Sequence, residues 1–286
     1  MRKLKGRTLI GLQHKLGKWT ITVILSLYSA IVAAYPVFYT VLNSLKTRLS
    51  YAKNRFGFPT SPTLENYADV FSRFNFFRLL FNSFITTLGG VALCTVVAFL
   101  AAYAVTKMRI RGSSFIFLLI VATLMIPNQT IMCPLYQTAL DMKLVGQYYG
   151  LILVYAAFGL PLGTFLIAAY FRGIPDEILE AARIDGANHI QILTRVMFPI
   201  SIPAVATLAI INMVWMWNDL LLPLLILSQE QRTTLMVAIS LIRTQYDVHV
   251  PLISAGLAIG MLPVIVTYLL FQRQLVKGMT AGAVKS

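Results

Sequence analysis

One short stretch of the chain concentrates charged, small and helix-breaking residues at fixed spacing. It reads Glu180-Ala181-Ala182-Arg183-Ile184-Asp185-Gly186, then nine residues, then Val196-Met197-Phe198-Pro199. These types suit recognition better than bond-making. Ala181 and Ala182 let a short helix seat deeply in a groove of a partner with little side-chain entropy to lose. Glu180 offers a charged handle, Asp185 lies in the same stretch, and Gly186 permits a sharp turn. Upstream, Pro175 suits the first position of a helix, and Asp176 and Glu177 complement its positive end. The expected local fold is a helix over Ile178–Ile184, a break at Gly186, a second helix over Ala187–Met197, and a change of direction at Pro199.

A second polar group, Trp217-Asn218-Asp219, interrupts an otherwise charge-free run. An acid in such a run is costly, and usually faces a protein interior or a water-filled path. Two roles stay open for it: contact with a polar solute, or support of a helix bundle through a buried hydrogen bond. A third is an ordinary interfacial position, because tryptophans collect where lipid meets water.

Other chemistries lack their residues. There is no G-x-x-x-x-G-K-[ST] phosphate loop and no G-x-S-x-G nucleophile elbow. His14, His189 and His249 all fall away from the middle of an apolar run. Cys94 and Cys133 sit inside apolar runs, where they read as small buried side chains and not as a disulfide or metal site. No cofactor or metal is expected on this chain, and it is not expected to be an enzyme.

The elements that carry these groups follow from composition. Of 286 residues, 58% are apolar and 12% charged, too few polar side chains to clothe a soluble domain of this length. Six stretches have no charge: Trp19–Leu45, Leu79–Thr106, Gly112–Leu140, Leu144–Phe171, Val196–Asn218 and Val248–Gln272. Each exceeds the roughly 20 residues a helix needs to cross a bilayer. The expected fold is an all-α polytopic membrane protein with six transmembrane helices. It divides into a basic N-terminal tail over 1–18, a membrane domain over 19–272 with a long loop at 172–199, and a C-terminal tail over 273–286. With both termini on the cytoplasmic side, that side holds fifteen basic residues and the other nine, in keeping with the positive-inside rule. The net charge of +14 then serves orientation and anionic lipid, not nucleic acid. Prolines 36, 127, 134, 161, 203, 223 and 263 are expected to kink helices. Gly159-x-x-x-Gly163 and Gly256-x-x-x-Gly260 are expected to let helices approach closely.

The E-A-A-x3-G spacing, with its hydrophobic-x-hydrophobic-Pro ending, resembles the signature of binding-protein-dependent ABC importer permeases. Phe58-Pro59-x4-Leu64-Glu65-Asn66-Tyr67, Phe81-Asn82-Ser83, Trp217-Asn218-Asp219-x3-Pro223 and Thr280-Ala281-Gly282-Ala283-Val284-Lys285 resemble its carbohydrate branch, notably the maltose-type second permease. At position 219 that branch often has the longer glutamate. The resemblance implies a type I importer architecture in a bacterial inner membrane. It implies a second permease subunit, two ATPase subunits that bind ATP and Mg, and an extracytoplasmic solute-binding protein that delivers a sugar. Glu180, Ala181, Ala182, Asp185, Gly186 and Pro199 would couple to the ATPases. Thr280, Ala281, Gly282 and Ala283 would reach them from the tail. Trp217, Asn218 and Asp219 would line the sugar path. An ATP-independent transporter or channel with a regulatory loop is the alternative. It would need coupling groups inside the membrane, and only Asp219 is available.

The orientation is testable with single cysteines at Ser61 and Gln191 in a background lacking Cys94 and Cys133. They are expected to label from opposite sides of the membrane; labelling of both from outside contradicts it.

Overall fold

The computed structural model describes the backbone of residues 2–73, 75–108, 110–227, 230–242 and 249–283. The described residues form helices and no strands. In chain order they are α1 (Arg2–Ser44), α2 (Arg48–Lys53), α3 (Glu65–Arg73), α4 (Phe76–Lys107), α5 (Ser113–Ala122), α6 (Met132–Asp141) and α7 (Tyr148–Arg172). Then come α8 (Asp176–Ile184), α9 (His189–Gln191), α10 (Phe198–Asn218), α11 (Leu221–Ile226), α12 (Leu235–Ser240) and α13 (Val250–Ala283). Five continuous helical segments are long and apolar enough to span a membrane: Ile21–Ser44, Phe76–Lys107, Tyr148–Arg172, His189–Asn218 and Val250–Gln272. A sixth crossing exists if the bent pair Ser113–Met125 and Asn128–Asp141 is one span.

Two compact units divide the chain: residues 1–70 with 244–259, and residues 71–243 with 260–286. In the first, α1 runs into a polar knot. The Lys46 side chain, 1% exposed, donates from Nζ to the carbonyls of Asn54 (3.0 Å) and Arg55 (3.2 Å). Burial holds its pKa below the usual lysine value. Asn66 Nδ2 donates to the carbonyls of Ser44 and Lys46, both at 2.8 Å, and the Ser44 and Tyr67 hydroxyls lie 2.7 Å apart. The Leu64-Glu65-Asn66-Tyr67 stretch is therefore a buckle, closing the excursion that follows α1.

In the second unit, α4 packs along α7 and α10 crosses both. The small residues of α7 set the distance. A Cβ on Gly159 would stand 2.7 Å from Cys94 Sγ, and one on Gly163 would stand 2.7 Å from Ala98 Cβ and 3.1 Å from Leu208 Cδ2. Residues 94 and 98 are one turn apart on α4, so the two helices mesh small residue against small residue. One apolar cluster joins Phe99 and Tyr103 of α4, Phe171 of α7, Leu179 of α8, Met197 and Leu208. A second joins Cys94, Tyr155, Met216, Leu222 and Ile226. A second polar knot holds the segment before α12: Asn82 Nδ2 donates to Thr233 O at 2.8 Å and Gln231 O at 3.2 Å, while its Oδ1 accepts from Tyr148. Ser83 Oγ accepts from the Leu235 amide at 2.8 Å.

The structure departs from the sequence expectation in three places. The third apolar run is not one straight helix but two segments at 95°. Ile126 (ψ 120°) and Pro127 (ψ 128°) are both extended, because a proline ring disfavours the helical conformation of the residue before it. The stretch from His189 to Asn218 continues helically through Pro199 instead of breaking there. Residues Ile192–Met197 are π-helical, and the Phe198 amide bonds back to the Leu193 carbonyl, so the ladder has already loosened where proline lacks its N–H. Cys133, read as a small buried side chain, is exposed on α6, whereas Cys94 is buried.

Pro36, Pro161, Pro203 and Pro263 lie inside unbroken helices. Threonine hydroxyls four residues on donate to the carbonyls of Pro36, Pro134, Pro203 and Pro263, at 2.9, 2.9, 2.8 and 2.7 Å. These back-bonds bury the hydroxyl's own polarity within the helix.

Gly163→Ala is expected to destabilise the isolated protein by about 1–3 kcal/mol, as overpacking does in rigid interfaces, and Gly163→Val by more. Thermal unfolding in detergent checks this; a wild-type midpoint for Gly163→Val would show that the α4–α7 distance is not fixed by this contact.

Candidate functional site

The loop between α7 and α10 is a helical hairpin with two faces. Helix α8 starts behind Pro175, with Asp176 and Glu177 in its first turn. It ends in a Schellman motif. Gly186 adopts φ +83°, its amide bonds to Arg183 O, and the Ala187 amide reaches back to Ala182 O, both at 3.0 Å. A Cβ at Gly186 would meet nothing within 4 Å, so the demand is on backbone conformation alone. Asn188 then caps α9 reciprocally with Gln191, amide to side chain at 2.9 Å in each direction. Every sharp feature of the hairpin has its hydrogen bond.

Leu179, Ile174 and Ile192 point into the first apolar cluster, and Ala182 and Ala187 pack against its edge. Glu180, Ala181, Asp185 and Gly186 are exposed. The two alanines thus divide the work: Ala182 seats the helix on its own bundle, and Ala181 faces outward. Ile184 and Ile190 are 86% and 72% exposed. Ile184 lies four residues after Glu180 and three after Ala181, on the same outward face. Sequence reading passed over Ile184 and Ile190; the signal was an apolar residue in register with Ala181 on a helix whose inward stripe was already filled by Leu179.

The hairpin is tied to the end of α4. Lys107 Nζ donates to Ile174 O at 2.8 Å and to Asp176 Oδ1 at 2.6 Å. One turn earlier on α4, the Tyr103 hydroxyl lies 3.2 Å from His189 Nδ1. Pro199, expected at a re-entry, instead stands exposed in the first turn of α10.

A cavity of about 720 Å³ lies between the bent α5–α6 pair and helices α7 and α10. Its wall includes Thr123, Asn128, Phe158, Asn212 and Trp215 among mainly aliphatic residues. Trp217, Asn218 and Asp219 do not line it. Trp217 is 2% exposed, lies edge-on against Phe84, and donates from Nε1 to Gly260 O at 2.9 Å. Asn218 is exposed and donates to Val214 O on its own helix. The Asp219 carboxylate accepts from the Leu221 and Leu222 amides at 3.2 and 3.3 Å, capping α11 where α10 breaks, and it also interacts with Tyr155. Two residues apart on a helix means about 200° of rotation, which is why Trp215 faces the cavity and Trp217 the packing.

Helix α13 carries Thr280–Ala283 as its last residues, while Val284 and Lys285 fall outside the described residues. Among the described residues no group of His, Cys, Asp and Glu has the arrangement of a metal site.

Residues 94–281 match the family described as the binding-protein-dependent transport system inner membrane component. The chain is 33% identical over 255 residues to the probable starch degradation products transport system permease protein AmyC of Thermoanaerobacterium thermosulfurigenes, covering 87% of this chain and 91% of that one. It is 33% identical over 255 residues to the trehalose transport system permease protein SugB of Mycobacterium tuberculosis, covering 88% and 93%. In structure it is similar to a chain of a bacterial ABC transporter involved in the import of the acidic polysaccharide alginate. The TM-score there is 0.77 at 26% identity, with 88% of this chain and 94% of that chain covered. With its apolar spans and its exposed helical hairpin, the chain belongs to the binding-protein-dependent transport system inner membrane component family and is a multi-pass permease of an ABC import system.

Proposed function

We propose that this permease moves a neutral sugar or oligosaccharide, delivered by an extracytoplasmic binding protein, through a pathway it shares with a second, unlike permease subunit. Two ATPase subunits, which hold the ATP and Mg, dock on the 172–199 hairpin from the cytoplasm. The chain itself hydrolyses nothing. Both termini lie in the cytoplasm of a bacterial cell, and Thr280–Ala283 extend α13 toward the ATPases. The sugar class rests on the relatives, whose names refer to starch degradation products and trehalose. The coupling reading rests on one observation above all: a hairpin whose inward face is fully engaged presents Glu180, Ala181 and Ile184 outward on a turn fixed by a left-handed glycine. A charged handle, a residue with no bulk and a bare aliphatic knob form a face that seats in an apolar cleft with a hydrogen-bond donor for the carboxylate.

The sugar pathway runs along the cavity wall of Trp215 and Asn128. A tryptophan face stacks on the apolar side of a sugar ring, and amide side chains exchange hydrogen bonds with hydroxyls. Asp219 is assigned to the helix break, where its lone pairs are already committed to backbone amides.

Two outcomes test these assignments. Ile184→Asp places a charge on the docking face without touching the hairpin's own packing. It is expected to reduce ATPase co-purification by about tenfold or more, since a buried unpaired charge costs several kcal/mol. Gly186→Val is expected to do the same through the turn. Wild-type co-purification for both removes the docking role. For the pathway, Trp215→Ala is expected to lower uptake of labelled maltotriose, trehalose or raffinose, whichever the wild type carries, by about tenfold with assembly and basal ATP hydrolysis intact. Asp219→Ala is expected to lower the amount of assembled protein. The reverse pattern would move the pathway to Asp219.

A further inference from the structure

Lys107 is the last residue of α4, and its side chain is 6% exposed although the Asp176 carboxylate it meets is 63% exposed. A buried ammonium is costly unless it is well paired. Here the pairing is directed at a single target. Its two bonds, to Ile174 O and Asp176 Oδ1, fall on either side of Pro175. The proline ring restrains φ between them, here −58°, with ψ at 140°. The ammonium therefore grips a segment with one backbone torsion restrained, and that segment is the N-terminus of α8. Asp176 itself sits between two positive groups, the ammonium and the amide end of its own helix.

Tyr103 lies four residues before Lys107, on the same face of α4. Its buried hydroxyl meets His189 at the start of the second helical segment. One stripe of α4 thus holds both arms of the hairpin, one polar side chain to each. Between these contacts Leu179 and Ile192 pack on Phe99, Ala102 and Tyr103. Apolar contact has no direction and permits sliding; the two polar contacts supply register. The hairpin does not need them to fold, because the Schellman turn and the reciprocal cap at Asn188 are internal to it.

We propose that Lys107, seconded by Tyr103, is a positioning residue of energy coupling: it locks α8 to the end of α4 so that the hairpin cannot be displaced without displacing α4. The chain of rigid contact continues from there, since α4 meshes with α7 through Ala98 and Gly163, and α7 contributes Phe158 and Pro161 to the cavity. This deepens the coupling reading of the previous section and rests on it for what pushes α8. Loss of the lock leaves a hairpin that still docks but moves alone.

The experiment uses the complete transporter purified with its ATPase subunits and reconstituted into vesicles, offered labelled maltotriose, trehalose and raffinose. Lys107→Met is expected to assemble and to hydrolyse ATP at the wild-type basal rate. Its sugar moved per ATP is expected to fall about tenfold, within the range of ordinary coupling free energies. Asp176→Ala, a change at an exposed position, is expected to show the same loss, and the double variant no further loss. Lys107→Arg, which keeps the cation and its donors, is expected to recover most of the coupling. Trypsin supplies a readout that needs no transport: cleavage after Arg183 in α8 is expected to be severalfold faster in Lys107→Met and Asp176→Ala, because an unlocked helix opens more often. Wild-type sugar per ATP in Lys107→Met overturns the proposal. So does a wild-type trypsin rate in both variants, or a transport loss in Asp176→Ala that only follows a loss of assembled complex. If the wild type moves none of the three sugars, the substrate reading fails, and the trypsin comparison alone decides the lock.

Discussion

A chain that lies in hydrocarbon must satisfy its backbone N–H and C=O groups from within, because no water is there to do it. That constraint accounts for the long helices, and more tellingly for what stands at each place where a helix stops. After α1 the freed carbonyls of Ser44 and Lys46 are taken by Asn66. The carbonyls of Gln231 and Thr233, ahead of α12, are taken by Asn82. Where α10 ends, Asp219 turns to the amides that open α11. At the end of α8 the Schellman bonds do the same with backbone alone. The polar residues that look like candidate chemistry in the sequence are, in most cases, the partners of these interruptions.

The spans were legible because length and absence of charge are one-dimensional properties, and a helix in lipid needs little else. The hairpin was legible because caps and turns are local: Pro175 and Gly186 act within four residues of themselves, and the Asn188–Gln191 cap, which went unread, is equally local. The bend at Pro127 was only half legible. Proline signals a weakened ladder, but four other prolines sit inside unbroken helices, so the residue alone does not separate a kink from a break. The structural difference is that Ile126 and Pro127 are both extended, whereas Pro36, Pro203 and Pro263 each have a threonine one turn on that bonds the proline carbonyl. The threonine is not required, since Pro161 has Phe165 at that spacing and its helix is also unbroken. Trp217 and Asp219 were legible only as open alternatives, for a different reason. Which side of α10 faces the cavity depends on where α7 lies, and no pattern within 198–218 contains that.

The arrangement separates stiffness from compliance. Helices α4 and α7 approach closely where Gly159 and Gly163 face Cys94 and Ala98, and Phe99 packs edge-on against Phe171 between them. The α5–α6 pair is bent by 95° and forms the far wall of the cavity. A rigid pair on one side and a broken helix on the other is a geometry in which a small displacement changes the width of the space between them, and not the packing of either wall. The hairpin at 172–199 is tied to the end of α4 through Lys107 and Tyr103, and so to this closely packed pair.

The same division decides where polarity is affordable. Lys107 and Asp176 pair at the loop end of α4, and the Lys46 knot stands just beyond the span that ends at Ser44. The described wall of the cavity, by contrast, offers amides, a hydroxyl and aromatic rings and no charged side chain. For a neutral solute with many hydroxyls, such a wall would let each bond to water be exchanged for one to an amide or a hydroxyl. A charged solute would have to shed its hydration against a wall with nothing to compensate it, at a cost far above that of any single hydrogen bond. The described wall thus offers a solute no charged partner, and the exposed aliphatic residues of the hairpin, Ile184 and Ile190, lie apart from it in the loop between α7 and α10.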